Sequence, residues 1–208
     1  MCRLFGMSAG HEPVKATFWL LEAPDSLAQQ SRHEPDGTGL GHFDADNHSA
    51  MQKQPLAAYE DQQLGREARE ISSRTFVAHV RYRSTGNLVL IEPDELWALR
   101  YPDVHELHVL ERQAGGSSGS RHLEHASARG SVRVRSGDLA TRPAVIVATE
   151  QMDEGPGWQE LGSGHLLHVD SDLKVSLTTV LEQPPARPLT LHDLDTHAAA
   201  SQAPEAGV

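Results

Sequence analysis

Cys2 is the residue whose type and place most directly suggest chemistry. It follows Met1, and its small side chain favours removal of that methionine, which would leave the thiol beside its own α-amino group. Such an amine titrates at about 7.7–8.0, so a useful fraction is neutral near pH 7 and can take the thiol proton. One residue then supplies nucleophile and base together. Taken alone, a cysteine at position 2 is more simply a small, weakly hydrophobic side chain with no catalytic duty. Arg81 is the second candidate, because its guanidinium forms a fork that matches a carboxylate. On an alternating strand, however, an arginine is ordinarily a solvated surface residue.

The neighbours of these two residues shift the balance. Met-Cys-Arg-Leu-Phe-Gly opens the chain; His33-Glu34-Pro35-Asp36-Gly37-Thr38-Gly39-Leu40-Gly41 follows, and then Phe76-Val77-Ala78-His79-Val80-Arg81-Tyr82. In kind and order these segments resemble class II glutamine amidotransferases, in particular the small stand-alone bacterial members that include ergothioneine-pathway γ-glutamyl hydrolases. The likeness continues through 87–112 and 148–170, where Glu150, Met152-Asp153-Glu154 and Pro156-Gly157-Trp158 fit the same pattern. The first and third segments are specific in combination, whereas the glycine segment alone is weak.

The resemblance implies an α+β fold, a reduced form of the four-layer αββα N-terminal-nucleophile sandwich of antiparallel sheets. It also implies hydrolysis of glutamine or another γ-glutamyl amide through a thioester on Cys2. Arg81 would hold the substrate α-carboxylate, with Ser84 and Thr85 supplying a hydroxyl and backbone beside it. No cofactor and no metal are expected. The expected partners are a small γ-glutamyl amide and a second copy of the chain in a homodimer.

The chain departs from the family pattern near residues 86–87. There the family runs on to an Asn-Thr-His-Pro segment, an Asn-Gly pair that builds the oxyanion hole, and a Gly-Asp-x-Asp stretch that binds the substrate amine. Here Ser84-Thr85-Gly86 leads directly into Asn87-Leu88-Val89-Leu90, which resembles a much later strand. The two asparagines, Asn47 and Asn87, are followed by His and Leu, so no Asn-Gly exists in the 208 residues. A central block is therefore expected to be missing. Losing one oxyanion donor costs roughly 10²–10³ in rate. The alternative to a working amide hydrolase is thus a catalytically inactive remnant that binds or dimerises with an intact relative. A third reading is a gene-level deletion whose product folds poorly.

Rival signals are weaker. Gly37-Thr38-Gly39-Leu40-Gly41 does not have the order of a dinucleotide fingerprint. Asp44-x-Asp46-Asn47 lacks the glycine and the final acid of a calcium loop, since Ser49 and Pro55 occupy those places. Thirteen histidines accompany a single cysteine, and His122, His125, His165 and His168 show no paired ligand spacing. His79 stands on the strand face of Arg81, but the N-terminal amine makes a histidine base unnecessary.

Positioning these residues requires strands. Residues 2–9 read as a strand, and 74–82 alternate so that Phe76, Ala78 and Val80 share one face and Val77, His79 and Arg81 the other. The stretches 87–92 and 95–101 flank a Pro93-Asp94 hairpin turn. Further strands are expected in 106–111, 131–135, 144–150, 165–170 and 173–181. Helices are expected from Pro24 or Asp25 and over 57–71, where Leu64, Ala68 and Ile71 form a stripe that Gly65 weakens. The segment 33–43 reads as turn-rich, 44–47 as a polar turn and 113–130 as a flexible loop. The domain is placed at 1–182, with a disordered tail at 183–208.

Composition sets the outer bounds. The length suits one domain with a core of its own. Hydrophobic residues make up 38% and aromatics 5%, so large side chains to fill an interior are few. A net charge of -11 opposes binding to nucleic acid or an anionic membrane, both of which need a basic surface. No stretch reaches the length of a membrane span, and the N-terminus lacks a signal-peptide core. With one cysteine there is no intramolecular disulfide, and a cytoplasmic location is expected.

Overall fold

The computed structural model describes residues 3–32, 35–80, 87–102, 105–114, 123–126, 133–136, 142–153 and 156–184. Its organising element is β1 (Arg3–Ser8), whose alternate residues serve two different interiors. Phe5 and Met7 are fully buried on one side, while Leu4 and Gly6 face the other. Both edges of β1 are also paired. It runs antiparallel to β4 (Thr75–Val80) with Arg3 opposite Val80, and antiparallel to β10 (Ala144–Ala148) with Phe5 opposite Ala148.

Around this centre a seven-stranded antiparallel sheet assembles in the order β11-β7-β10-β1-β4-β2-β3. The added strands are β2 (Thr38–Phe43), β3 (Ser49–Gln54), β7 (His108–Arg112) and the two-residue β11 (Gln159–Glu160). A second antiparallel sheet has the order β13-β12-β6-β5, from β5 (Leu88–Ile91), β6 (Leu96–Leu99), β12 (His165–Val169) and β13 (Val175–Thr179). A separate ribbon joins β8 (Leu123–Ala126) to β9 (Arg133–Ser136).

Two hydrophobic cores sandwich the large sheet. On one side Phe5, Met7, Phe76 and Ile146 pack under a π-helical turn (Phe18–Glu22), α1 (Leu27–Gln30) and α2 (Gln62–Glu70). Phe18 and Trp19 meet edge-to-face at 4.8 Å, an arrangement favoured by the ring quadrupoles. On the other side Val145 and Val147 meet Val89, Leu96, Leu167 and Val169 of the second sheet. The described residues thus supply helices, sheet and sheet, three of the four layers expected, and the class is α+β. On the outer face of the second sheet Leu88 and Leu90 stay 49% and 55% exposed.

Most strand expectations hold, and the exceptions have local causes. The first helix begins at Ser26, not Pro24 or Asp25, because the Ser26 hydroxyl caps Gln29 N–H. Asp61 caps α2 through Gln63 and Leu64, so that helix starts five residues later than 57 and keeps Gly65 inside it. The turn-rich reading of 33–43 is corrected from residue 38 on: Thr38–Phe43 is strand β2, held between β3 and β4. The polar turn at 44–47 is present, closed by an Asp44 carboxylate that accepts from Asp46 and His48 N–H. Those bonds favour the ionised form and hold the Asp44 carboxyl below its ordinary value. Asp46 and His48 lie beside it, all three exposed. Strand β8 falls inside the segment read as a loop over 113–130. Of the expected tail, residues 185–208 lie outside the described residues, and so do 81–86 at the expected excision point.

Gly6 marks the closest approach of the two sheets. A Cβ built there would lie 2.8 Å from Val89 Cγ1 and 3.1 Å from Leu96 Cδ1. Gly6→Val is therefore expected to destabilise the fold by about 1–3 kcal/mol, the usual cost of overpacking. Urea unfolding of both proteins measures it, and an unchanged midpoint would mean that the sheets are not in contact at this point.

Candidate functional site

The large sheet is wider than the second sheet. β5 and β6 lie over β1 and β4, so β2 and β3 extend beyond the open edge of β5. On this uncovered margin sits a cleft of about 630 Å³. That volume lies in the range of small-molecule sites.

Its floor follows from the sequence. Gly39 pairs with Lys53 on one side and His79 on the other, and Gly41 pairs with Met51 and Val77. Directly paired residues share a sheet face, and Val77 belongs to the core facing the second sheet. Gly39 and Gly41 therefore leave a bare strip of backbone on that face. Its walls are Met51 and Lys53 on β3 and Val77 and His79 on β4, with Val89 at the β5 side and Asp36 and Pro55 at one end. A row of alternate glycines makes a trough because the missing side chains are all on one face.

The back of the trough is braced. Gln63 of α2 donates to Gln52 at 3.1 Å and to Glu67 at 2.8 Å, and it accepts from Gln54 at 3.1 Å, tying β3 to the helix. Thr38 donates to the Leu56 carbonyl at 2.8 Å, fixing the chain beyond β3.

The trough opens at the end of the sheet where Arg3 stands opposite Val80 and Val80 opposite Thr38. Cys2 is the residue before Arg3, and Arg81 the residue after Val80. Cys2, Arg81, Ser84 and Thr85 all lie outside the described residues. What the structure fixes is the pair of chain ends that two of them adjoin. The start of β1 is clamped there: Leu4 N–H donates to Thr149 Oγ1 at 3.2 Å and Thr149 N–H donates to the Leu4 carbonyl at 3.1 Å. The Arg3 guanidinium, 13% exposed, pairs with Glu150 on the face opposite the trough. His79 lies in the wall, half-buried beside Gly39. Sequence reading found the strand that bears His79 but missed the trough, whose signal was the spacing Gly37-x-Gly39-x-Gly41.

The fold is that of solved class II glutamine amidotransferase structures. The chain is similar to glutamine phosphoribosylpyrophosphate amidotransferase from B. subtilis, solved with ADP and GMP (TM-score 0.54, 11% identity, 88% of this chain and 50% of that one). It is also similar to an allosteric regulatory enzyme of purine biosynthesis (TM-score 0.57, 12% identity, 88% of this chain, 50% of that one). A third likeness is to a class II glutamine aminotransferase domain protein from Silicibacter pomeroyi (TM-score 0.51, 13% identity, 86% of this chain and 100% of that one). The chain thus spans half the length of the first two. No protein-family model and no curated protein matches the sequence.

The two floor glycines differ in what a side chain would meet. At Gly39 the nearest atoms to an added Cβ are Gln52 O at 3.7 Å and Lys53 Cγ at 3.8 Å, ordinary contacts, whereas at Gly41 Val77 Cγ1 is 2.9 Å away. Gly39→Leu is expected to hold or raise the melting temperature, since an interior strand glycine costs roughly 0.5–1 kcal/mol relative to alanine. Gly41→Leu is expected to lower it by several degrees. Thermal unfolding followed by circular dichroism compares them, and equal losses would mean that position 39 is not open to the cleft.

Proposed function

We propose that the protein is a glutamine amidotransferase-type amide hydrolase that releases ammonia or an amine from glutamine or another γ-glutamyl amide. The observation that carries this reading is the register of β1 with β4. Arg3 opposite Val80 brings the chain ends adjoining Cys2 and Arg81 to the mouth of one glycine-floored cleft. The class II glutamine amidotransferase fold supports it.

In this reading removal of Met1 frees the Cys2 amine, which takes the thiol proton. The thiolate adds to the γ-carbonyl carbon. The C–N bond then breaks as the amine leaves with that proton, and a thioester remains. Water attacks the thioester and returns glutamate and the free thiol. Arg81 holds the α-carboxylate in a forked, charge-assisted pair, flanked by Ser84 and Thr85. The trough over Gly39 receives the amide end of the substrate. A free thiol fits a reducing, cytoplasmic setting.

A second reading, an inactive remnant that binds or pairs with an intact relative, is favoured by the absence of any Asn-Gly pair from the sequence. Without that donor the rate is expected to fall roughly 10²–10³-fold below a complete site. Incubation with the glutamine-like electrophile 6-diazo-5-oxo-L-norleucine, followed by intact mass, decides between them. The expected result is loss of Met1 and one adduct per chain, blocked by excess glutamine and absent from Cys2→Ala and Gly39→Leu. Ammonia release should disappear in Cys2→Ala as well. A retained Met1, or labelling that glutamine leaves untouched, would overturn the hydrolase reading in favour of the remnant.

A further inference from the structure

The strands that end the two sheets are not alike. The large sheet ends on the two-residue β11 and on β3, which carries Lys53 between two glutamines. Short strands and charged side chains both guard an edge against pairing with another chain. β5 ends the second sheet above the large one, where β2 and β3 continue beyond it. β13 has none of these safeguards. Its sequence, Val-Ser-Leu-Thr-Thr, holds no charge and no proline, it pairs with β12 without a bulge, and Ser176 through Thr179 are exposed. Leu177 stands in the row of Val89, Ala98 and Leu167, which fill the inner core, yet it is 55% exposed. The large sheet therefore stops short of this strand, and the edge is open on that side too.

The register decides which backbone groups this edge offers. Asp170 N–H donates to the Lys174 carbonyl at 3.2 Å, and Val180 N–H to the Gly164 carbonyl at 2.9 Å. Bonded pairs alternate along an antiparallel ladder, so Ser176 and Thr178 also turn their backbone toward β12. Val175, Leu177 and Thr179 turn theirs outward, and among the described residues no strand pairs with them. This outward row is symmetric about Leu177. A two-fold rotation there matches the edge to itself, with Leu177 opposite Leu177, Val175 opposite Thr179 and Ser176 opposite Thr178. Each is a favourable cross-strand pair: two leucines, two β-branched residues, two hydroxyls.

We infer that two copies of the chain join through β13, antiparallel about a two-fold axis at Leu177. The second sheet then runs through both copies as one sheet, with four strands from each. The interface is isologous, so it closes at two copies and does not propagate. Val180 and Leu181, both exposed, add apolar surface at each end of the pair. The net charge of -11 opposes the union at low salt, but at physiological ionic strength repulsion beyond about 8 Å is largely screened. Because β13 and β5 are opposite ends of the second sheet, the cleft beside β5 stays open in the dimer. An interface this small is below the size of standard stable complexes, which places the equilibrium in the micromolar range.

Sedimentation equilibrium of the full-length protein at physiological salt tests this, over a roughly hundredfold range of micromolar concentration. The mean mass is expected to rise from 22.7 kDa toward twice that value. Leu177→Lys sets like charges opposite each other at the axis and is expected to weaken association about tenfold. Ser176→Lys combined with Thr178→Lys is expected to do the same. Ser176→Lys combined with Thr178→Glu puts opposite charges across the axis and is expected to retain the dimer. All three positions are exposed, and far-UV circular dichroism checks that each variant keeps the fold. A monomer at every concentration would overturn the inference. So would a dimer that the lysine variants leave intact, or one that the lysine–glutamate pair breaks as readily as two lysines, since either result assigns the union to another surface or register.

Discussion

The pairing of β1 on both edges and both faces is the constraint from which the other features follow. β1 pairs with β4 from Arg3 to Ser8 and with β10 from Phe5 to Ser8, while the Thr149 hydroxyl and backbone amide take its Leu4 backbone on the β10 side. Its alternation then decides where both cores lie, since Phe5 and Met7 look toward the helices and Gly6 toward the second sheet. A one-residue slip would exchange these faces, placing Phe5 where only a hydrogen fits. The register opposite Val80 is therefore fixed by volume as well as by hydrogen bonds. That register also brings the start of β1 and the end of β4 to the same edge of the sheet.

The cleft arises from a mismatch in width between the two sheets. The four-stranded sheet ends at β5, and the seven-stranded sheet continues for two further strands. An exposed sheet margin usually carries long polar side chains over its surface. Here the middle strand contributes glycines, so the margin becomes a trough between Lys53 and His79. α2 and its glutamine bridges hold the floor from behind, which keeps the trough open without any contact inside it.

How far the sequence disclosed this depends on the kind of signal each element carries. β4, β10 and the β5–β6 hairpin were legible because apolar residues alternate or run together between turn residues. β2 was not, because its alternate glycines carry the low strand propensity typical of turns, and only pairing on both sides makes them a strand. β3, Ser-Ala-Met-Gln-Lys-Gln, was missed because one of its faces borders the cleft and the other meets Gln63 of α2, so neither shows an apolar stripe. Cys2 and Arg81, which lie outside the described residues, were singled out by the short segments around them. The trough depends on a register that pairs residue 39 with residue 79, which local patterns do not encode.

The same central strand sets an order of events in time. Of the described strands β1 is synthesised before the others, yet its partner β10 begins at Ala144. At about 5–20 residues per second, roughly 7–30 s separate the appearance of the two on a ribosome. Throughout that interval the N-terminal segment lacks one of its two neighbours, and its apolar residues stay uncommitted. Long-range pairing of this kind also slows folding, because a large loop must close before its contacts form. The start of β1 is thus open to peptidases and solvent before β10 closes the sheet beside it.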